Sequence, residues 1–120
     1  MKTVLVVDDE NNIRKSIEFC LEQAGYSVIT AQDGLSGMQI AFETKPDLIL
    51  LDLVLPKMNG YLVCEALKSE ESTSSIPIVI MSAKAEEEDI EKARRNGADD
   101  YMVKPFTPVE LRKKIKEKLK

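Results

Sequence analysis

Five side chains that could do chemistry stand directly after four short apolar segments of the chain. Asp8 and Asp9 follow the first segment, Asp52 the third, Ser82 the fourth and Lys104 the fifth. Each position alone is weak evidence, because an acid after a strand is more often a helix cap or a turn residue. Agreement among four separate segments points to one shared site.

The charges of these side chains predict the chemistry of that site. Three carboxylates and one ammonium leave a net charge of −2. Like charges about 4 Å apart repel by roughly 4 kcal/mol at an effective dielectric constant near 20, which favours raised carboxyl pKa values or a bound divalent cation. Oxygen ligands without His or Cys select a hard cation, most simply Mg²⁺, or Mn²⁺, with Asp8 and Asp9 best placed as ligands. The metal and Lys104 would neutralise a phosphoryl group, Ser82 would donate a hydrogen bond to it, and Asp52 would attack phosphorus.

The apolar segments themselves predict the strands that position these residues. Strands are expected over Thr3–Val7, Tyr26–Thr30, Leu48–Leu51, Ile78–Met81 and Asp100–Val103. Most are continuously apolar, which is typical of parallel strands covered on both faces. Five βα units in series predict one doubly wound α/β domain over residues 1–120, with right-handed crossovers. In such a sheet, function gathers at the carboxyl ends of the strands.

Five helices are predicted to alternate with the strands. Apolar residues at helical spacing mark the first three: Ile13, Ile17, Leu21 and Ala24; Leu35, Met38, Ala41 and Phe42; and Leu62, Val63, Ala66 and Leu67. Gly25 should close the first of these helices and Asp33 should cap the second. The fourth, Glu86 to Asn96, has only a short apolar stripe, so we expect it to be weakly anchored and mobile. Thr107-Pro108-Val109-Glu110 opens the fifth as a capping box.

Composition excludes several functional classes. The 120 residues include no histidine, so the chain alone cannot form a Ser-His-Asp set, a Cys-His pair or a His-bound zinc site. A net charge of −4 lacks the basic footprint of a nucleic-acid binder, and the basic C-terminal helix is interpreted as a solvated face. No apolar run reaches the roughly 20 residues that span a bilayer. We expect a cytoplasmic protein without direct nucleic-acid or membrane contact, in which Cys20 and Cys64 are buried free thiols.

Four motifs resemble the receiver domain of two-component response regulators, the family that includes the chemotaxis regulators. They are Val7-Asp8-Asp9-Glu10, Leu51-Asp52-Leu53-Val54-Leu55-Pro56 with Asn59-Gly60, Met81-Ser82-Ala83, and Asp99-Asp100-Tyr101-Met102-Val103-Lys104-Pro105-Phe106. The motifs occur in family order and at family spacing over essentially the whole chain, and together they are highly specific. The resemblance implies a flavodoxin-like fold: five parallel strands in the order 2-1-3-4-5 with five helices.

The resemblance also implies a reaction. Asp52 would accept a phosphoryl group from a phosphohistidine of a sensor histidine kinase or phosphotransfer protein, in a Mg²⁺-dependent step. Asp9, Asp52 and the backbone carbonyl of Val54 would bind the metal, with Asp8 assisting through water. Such a domain is a signalling switch and not an enzyme with an external substrate, since it catalyses only its own phosphorylation and dephosphorylation. The histidine that this chain lacks would arrive on its partner.

The same resemblance assigns a switch. Ser82 and Lys104 would contact the phosphoryl oxygens, and movement of Ser82 toward them would let Tyr101 turn inward. This would change the surface of helix four, strand five and helix five, where a downstream protein target or output domain binds. Composition alone also allows Tyr101 to be an ordinary surface residue of an amphipathic strand. The Lys-Pro peptide of the family is typically cis, so Lys104-Pro105 is predicted to be cis.

Three finer predictions concern assembly and lifetime. Asp99-Asp100 and the basic fifth helix resemble regulators that dimerise through helix four, strand five and helix five, which predicts a homodimer. The sequence ends after the fifth helix, so the domain either acts alone or is part of a longer regulator. Val54, two residues after Asp52, is predicted to hinder the attacking water and to lengthen the phosphoryl lifetime.

Three alternative functions fit the sequence less well. A phosphatase of the haloacid dehalogenase type needs a second acid two residues after the first, where this chain has Val54, and it needs room for a cap domain. A flavodoxin-like FMN carrier would place its phosphate loop after strand one, where Asp8 and Asp9 would repel a phosphate. An interaction module that is never phosphorylated is disfavoured because all five site residues are present.

Overall fold

The computed structural model describes residues 1–83 and 87–119 and shows strands and helices in alternation. The elements are β1 (Thr3–Val7), α1 (Asn11–Gln23), β2 (Ser27–Ala31), α2 (Gly34–Thr44), β3 (Leu48–Asp52), α3 (Gly60–Lys68), β4 (Ile78–Ser82), α4 (Glu87–Arg95), β5 (Asp100–Val103) and α5 (Pro108–Lys118). All neighbouring strands are parallel, and the sheet order is β2-β1-β3-β4-β5. The predicted α/β class, strand order and five-helix arrangement are confirmed.

Each face of the sheet is covered by helices, and the core lies in two layers. The alternation of side chains along a strand divides β1, with Leu5 and Val7 on one face and Val4 and Val6 on the other. The first pair packs with apolar residues of α2, α3 and α4, and the second with residues of α1 and α5. Every residue of β3 and β4 is buried, as expected of central parallel strands.

The second strand begins and ends one residue later than Tyr26–Thr30, the range that the sequence predicted. Gly25, at a φ of +94°, ends α1, and the Tyr26 N–H donates to the Leu21 carbonyl at 3.0 Å. This is the pattern of a helix that ends on a left-handed glycine. Because Tyr26 is engaged in closing α1, sheet pairing starts with Ser27, whose N–H donates to the Lys2 carbonyl.

Three of the apolar residues whose spacing predicted the first three helices are exposed. Ala24 is the C-cap residue of α1, and Leu35 and Leu62 are 41% and 49% exposed. In α2 the buried face is instead lined by Gly34 and Gly37, together with Ala41 further along. An apolar pattern does not identify this face of α2, because it does not register glycine, which lets a helix approach the sheet closely.

The last two helices agree with their sequence signals. Ala93 is the one buried residue among those of α4, consistent with weak anchoring, while its mobility stays a prediction. The predicted start at Glu86 lies outside the described residues. In α5 the Glu110 N–H donates to Thr107 Oγ1 and the Thr107 N–H donates to Glu110 Oε1, each at 3.1 Å, which confirms the capping box.

Two further expectations concern the thiols and the membrane. Cys20 and Cys64 are both buried and free, as predicted. Burial raises the pKa of the Cys64 thiol to about 11, so it is protonated at neutral pH. In the part of the chain that the structure describes, no helix combines the length and the apolar character needed to cross a bilayer.

Candidate functional site

The residues of the candidate site are fixed by the sheet itself. Asp52 and Ser82 are the last residues of β3 and β4, and they pair in register with Met81 and Val103 of the neighbouring strands. The Lys104 N–H donates to the Ser82 carbonyl at 2.8 Å, which continues the ladder beyond β5. These groups therefore emerge at the carboxyl edge of the sheet from hydrogen-bonded backbone.

Three carboxylates converge at this edge. Asp8 is fully buried, Asp52 is 6% exposed and Asp9 is exposed. One carboxylate oxygen from each lies within 4.8 Å of the others. Asp8 Oδ1 accepts a hydrogen bond of 2.9 Å from the Glu10 N–H, which fixes the orientation of its carboxylate. The structure thus brings together all three acids that the sequence predicted.

Lys104 partly neutralises the acidic cluster. Its Nζ lies 2.8 Å from Asp8 Oδ2 and 3.5 Å from Asp52 Oδ2. Burial alone would lower the pKa of Lys104, but the hydrogen bonds and charges of the two carboxylates outweigh burial and raise it. The ammonium is therefore charged at neutral pH, and one positive charge faces three carboxylates.

Asp52 is the acid of the cluster whose pKa is raised. Burial, reinforced by the charges of Asp8 and Asp9, raises the pKa of the Asp52 carboxyl to about 6 against the opposing effect of Lys104. A raised carboxyl pKa means that the ionised form is short of stabilising partners. The site is therefore poised to gain a cation.

The donor set fits a small, hard dication. The cluster offers carboxylate oxygens and no sulfur or nitrogen ligands. Mg²⁺ prefers oxygen ligands of this kind, and it keeps several waters when it binds to proteins. A dication would also relieve the ionisation cost at Asp52. The exposed carboxylate of Asp9 leaves one side of the cluster open to solvent, where such an ion would enter.

The loop between β3 and α3 forms one wall of the site. Within it Leu55 is buried, whereas the Val54 side chain is 66% exposed. The Gly60 N–H donates to the Leu53 carbonyl at 2.9 Å, which draws the start of α3 against the end of β3. A Cβ on Gly60 would lie 2.6 Å from the carbonyl oxygen of Asp52, so this approach requires glycine.

Ser82 and Tyr101 lie on the side of the site that faces α4. Ser82 is 3% exposed at the end of β4, and Tyr101 is half-buried against the core layer beneath α2, α3 and α4. A cavity of about 250 Å³ between α4 and β5 and another of about 380 Å³ between β5 and α5 both adjoin Tyr101. Tyr101 therefore lines both cavities that flank β5.

Comparison with known proteins identifies the family. The model of the family described as "Response regulator receiver domain" matches residues 4–116. The chain belongs to this family. It is 45% identical over 115 residues to the alkaline phosphatase synthesis transcriptional regulatory protein PhoP of Bacillus subtilis, and 44% identical over 115 residues to the phosphate regulon transcriptional regulatory protein PhoB of Escherichia coli. These matches cover 96% of the chain but 47% and 50% of the relatives, so this receiver domain spans about half their length.

Solved structures agree with the assignment. The chemotaxis response regulator CheY4 of Vibrio cholerae is 32% identical and superimposes with a TM-score of 0.95 over 99% of each chain. The receiver domain of the sensor histidine kinase PA1611 of Pseudomonas aeruginosa is 30% identical, with a TM-score of 0.91 over 98% of this chain and 97% of that one. That structure has a magnesium ion coordinated in its active-site cleft. Receiver domains act as phosphorylation-based signalling switches, bind Mg²⁺ at an acidic pocket, and interact with histidine kinases and output domains.

Of two further features of this receiver domain near the site, one was predicted and one was missed. The Lys104-Pro105 peptide is cis, as predicted. Arg14, which the sequence analysis did not single out, donates to the Asp8 carbonyl at 2.8 Å and ties α1 to the site. Its signal was its place in the first turn of the helix that follows Asp8.

A second missed contact links α3 to α4. The Lys92 ammonium lies 4.7 Å from the centre of the Tyr61 ring, and the Tyr61 hydroxyl donates to the Asp89 carbonyl at 3.4 Å. No spacing rule in the sequence relates these residues, because α3 and α4 are joined through β4. The contact supplements the single buried side chain with which α4 is anchored among its described residues.

Proposed function

We propose that this receiver domain is a phosphoryl-accepting switch in which Asp52 takes the phosphoryl group of a phosphohistidine on a sensor histidine kinase or phosphotransfer protein. The observation that carries the proposal is the convergence of Asp8, Asp9, Asp52 and Lys104 at one edge of the sheet, with Asp52 buried and its pKa raised. The domain boundary at residues 1–120 is part of the proposal.

The chemistry follows from the position of each group. At neutral pH the Asp52 carboxylate is mostly ionised, since its pKa is about 6. One carboxylate oxygen attacks phosphorus, the bond from phosphorus to the donor imidazole nitrogen breaks, and its electron pair remains on that nitrogen. The Lys104 ammonium, already within 3.5 Å of Asp52, balances charge on the phosphoryl oxygens, and the Ser82 hydroxyl donates to one of them.

A divalent cation completes the charge balance. Asp9, Asp52 and the carbonyl oxygen of Val54 would hold Mg²⁺, or Mn²⁺, with Asp8 acting through water. When bound, the ion neutralises charge on the phosphoryl oxygens as the donor approaches. Asp8 also positions the Lys104 ammonium directly, through the contact of 2.8 Å.

The switch uses the side of the site that faces α4. Movement of Ser82 toward the new phosphoryl oxygens opens space into which Tyr101 turns, and the two cavities that Tyr101 lines support this proposal. Phosphorylation adds roughly −1.5 to −2 of charge, and the surface of α4, β5 and α5 changes for a downstream protein target or an output domain. A homodimer through the same surface and a cytoplasmic location, without direct nucleic-acid contact, complete the proposal.

The decisive test is covalent labelling. We expect incubation with a small phosphodonor and Mg²⁺, followed by intact mass measurement, to add one phosphoryl group to the parent and none to Asp52→Ala. EDTA should abolish the labelling. Equal and EDTA-insensitive labelling of both proteins contradicts the mechanism, and no labelling of the parent leaves the interaction module without phosphorylation as the better function.

A further inference from the structure

The loop that carries Val54 rests on the first turn of α2. The Gly34 N–H donates to the Pro56 carbonyl at 3.3 Å, and Lys57 Nζ lies 3.8 Å from Asp33 Oδ2. A Cβ on Gly34 would lie 1.7 Å from the Met58 carbonyl oxygen and 2.7 Å from its carbonyl carbon. These are backbone atoms, so an added methyl group would have to displace the loop or the helix.

Glycine is required at position 34 for space and not for conformation. The glycines with positive φ in the described chain are Gly25 and Gly97, whereas Gly34 is the first residue of α2 and has no left-handed φ. The turn itself is fixed, because Asp33 Oδ1 accepts a hydrogen bond of 2.7 Å from the Ser36 N–H. The start of α2 is therefore a firm support for the loop.

The loop is held in the same way at its other end. Gly60 allows α3 to begin against the carbonyl oxygen of Asp52, where a Cβ would approach to 2.6 Å. Between the two glycine contacts Leu55 is buried and Val54 faces solvent. Two close backbone contacts thus fix the segment that follows Asp52, one of them made by a helix that contributes no side chain to the site.

We propose that Gly34 is a positioning residue of the metal and phosphoryl site. By letting the loop lie against α2, it holds in place the segment that carries the Val54 carbonyl, which the proposed function assigns as a metal ligand. The identity of the ligand, Mg²⁺, rests on the proposed function. A larger residue at position 34 pushes the loop away and weakens Mg²⁺ binding, although it lies outside the acidic cluster.

The test compares Gly34→Ala with Gly25→Ala. Gly25 has a φ of +94° and open space around its Cβ position, so alanine there is destabilising through backbone strain alone, at the opposite edge of the sheet. We expect Gly34→Ala to weaken Mg²⁺ binding at least fivefold by calorimetric titration, and to speed amide hydrogen exchange of residues 53–58 in EDTA. In Gly25→Ala, the Mg²⁺ affinity and the amide exchange rates of the loop should both stay within twofold of those of the parent. Equal Mg²⁺ affinity and loop exchange in the two variants overturns the proposal.

Asp33→Ala is the second variant, in case Gly34→Ala does not fold. It removes the cap of α2 and the partner of Lys57 without a clash, and we expect weaker Mg²⁺ binding and faster loop exchange than in Gly25→Ala. If Asp33→Ala has the Mg²⁺ affinity and the loop exchange rates of the parent, the first turn of α2 does not support the loop. A parent that binds Mg²⁺ but is not labelled at Asp52 refutes the proposed function alone, because the affinity comparison still tests Gly34. A parent that binds no Mg²⁺ overturns both.

Discussion

The buried Asp52 carboxylate is expected to destabilise the metal-free protein at neutral pH. Its pKa of about 6 in the folded state stands against 3.8 for an ordinary aspartate. At about 1.36 kcal/mol per unit, ionising Asp52 in the folded chain costs roughly 3 kcal/mol more than in the unfolded chain. Asp52→Asn, which keeps the shape and removes the charge, should therefore raise the free energy of unfolding by about 2–3 kcal/mol at pH 7.5 in EDTA.

The pH dependence has a definite sign. Because the folded pKa is raised, the folded state holds its proton to higher pH than the unfolded state, and the parent loses stability as pH rises. Relative to Asp52→Asn, that loss should begin near pH 4 and level off above pH 6. Urea denaturation followed by circular dichroism measures the difference, in which the other titrating groups largely cancel. Asp9→Asn serves as the control, because Asp9 is the exposed acid of the cluster. Its free energy of unfolding should rise by less than about 1 kcal/mol.

Magnesium should remove most of the stability difference between the parent and Asp52→Asn. A ligand at 100 times its Kd stabilises the folded state by about 2.7 kcal/mol, enough to offset most of the penalty at Asp52. The parent should therefore gain stability with Mg²⁺, while Asp52→Asn gains much less. Equal stability of the parent and Asp52→Asn from pH 4 to pH 7.5 in EDTA would refute the claim that the ionised Asp52 carboxylate destabilises the folded protein.

Two further predictions concern the surroundings of the site. Val54→Asn replaces an exposed apolar side chain two residues after Asp52 with one that can hydrogen-bond an attacking water, so we expect dephosphorylation to speed up severalfold in a mass-based time course. An unchanged or slower rate contradicts the shielding role of Val54. Tyr61→Leu removes the ring under Lys92 and the hydroxyl bond to α4, together about 1 kcal/mol, so amide exchange in α4 should speed up roughly fivefold. Tyr61→Phe should show a smaller effect, and unchanged exchange in Tyr61→Leu would mean that the ring does not hold α4.

The fold and the chemical centre of the site could be predicted from sequence because both follow from strong local signals. Continuous apolar runs marked the five strands to within about one residue at each end. The parallel arrangement then brought Asp8, Asp52, Ser82 and Lys104 to one edge, since each stands at the end of a strand or just after one. No knowledge of side-chain packing was needed for this step.

What sequence could not predict depends on distances between elements. The support that Gly34 gives the loop follows only from a distance in the structure. A Cβ added to Gly34 would lie 1.7 Å from the Met58 carbonyl oxygen. The tie between Tyr61 and Lys92 likewise joins helices whose relative placement no periodicity encodes. Sequence patterns report which face of an element is apolar, whereas these contacts depend on how closely two elements approach.

The charged residues on which the homodimer prediction was based form ion pairs within one chain. Lys68 Nζ lies 2.8 Å from Asp99, and the ammonium groups of Lys114 and Lys118 lie 2.9 and 3.1 Å from Asp100. Burial alone would raise the pKa of Asp100, but the hydrogen bonds from both lysines and from the backbone lower it overall. Intermolecular pairs at these positions would replace existing ones, and exposed ion pairs contribute at most about 1 kcal/mol each. Dimerisation through α4, β5 and α5 would therefore have to draw its free energy from apolar contacts on this surface, and the ion pairs would determine its orientation.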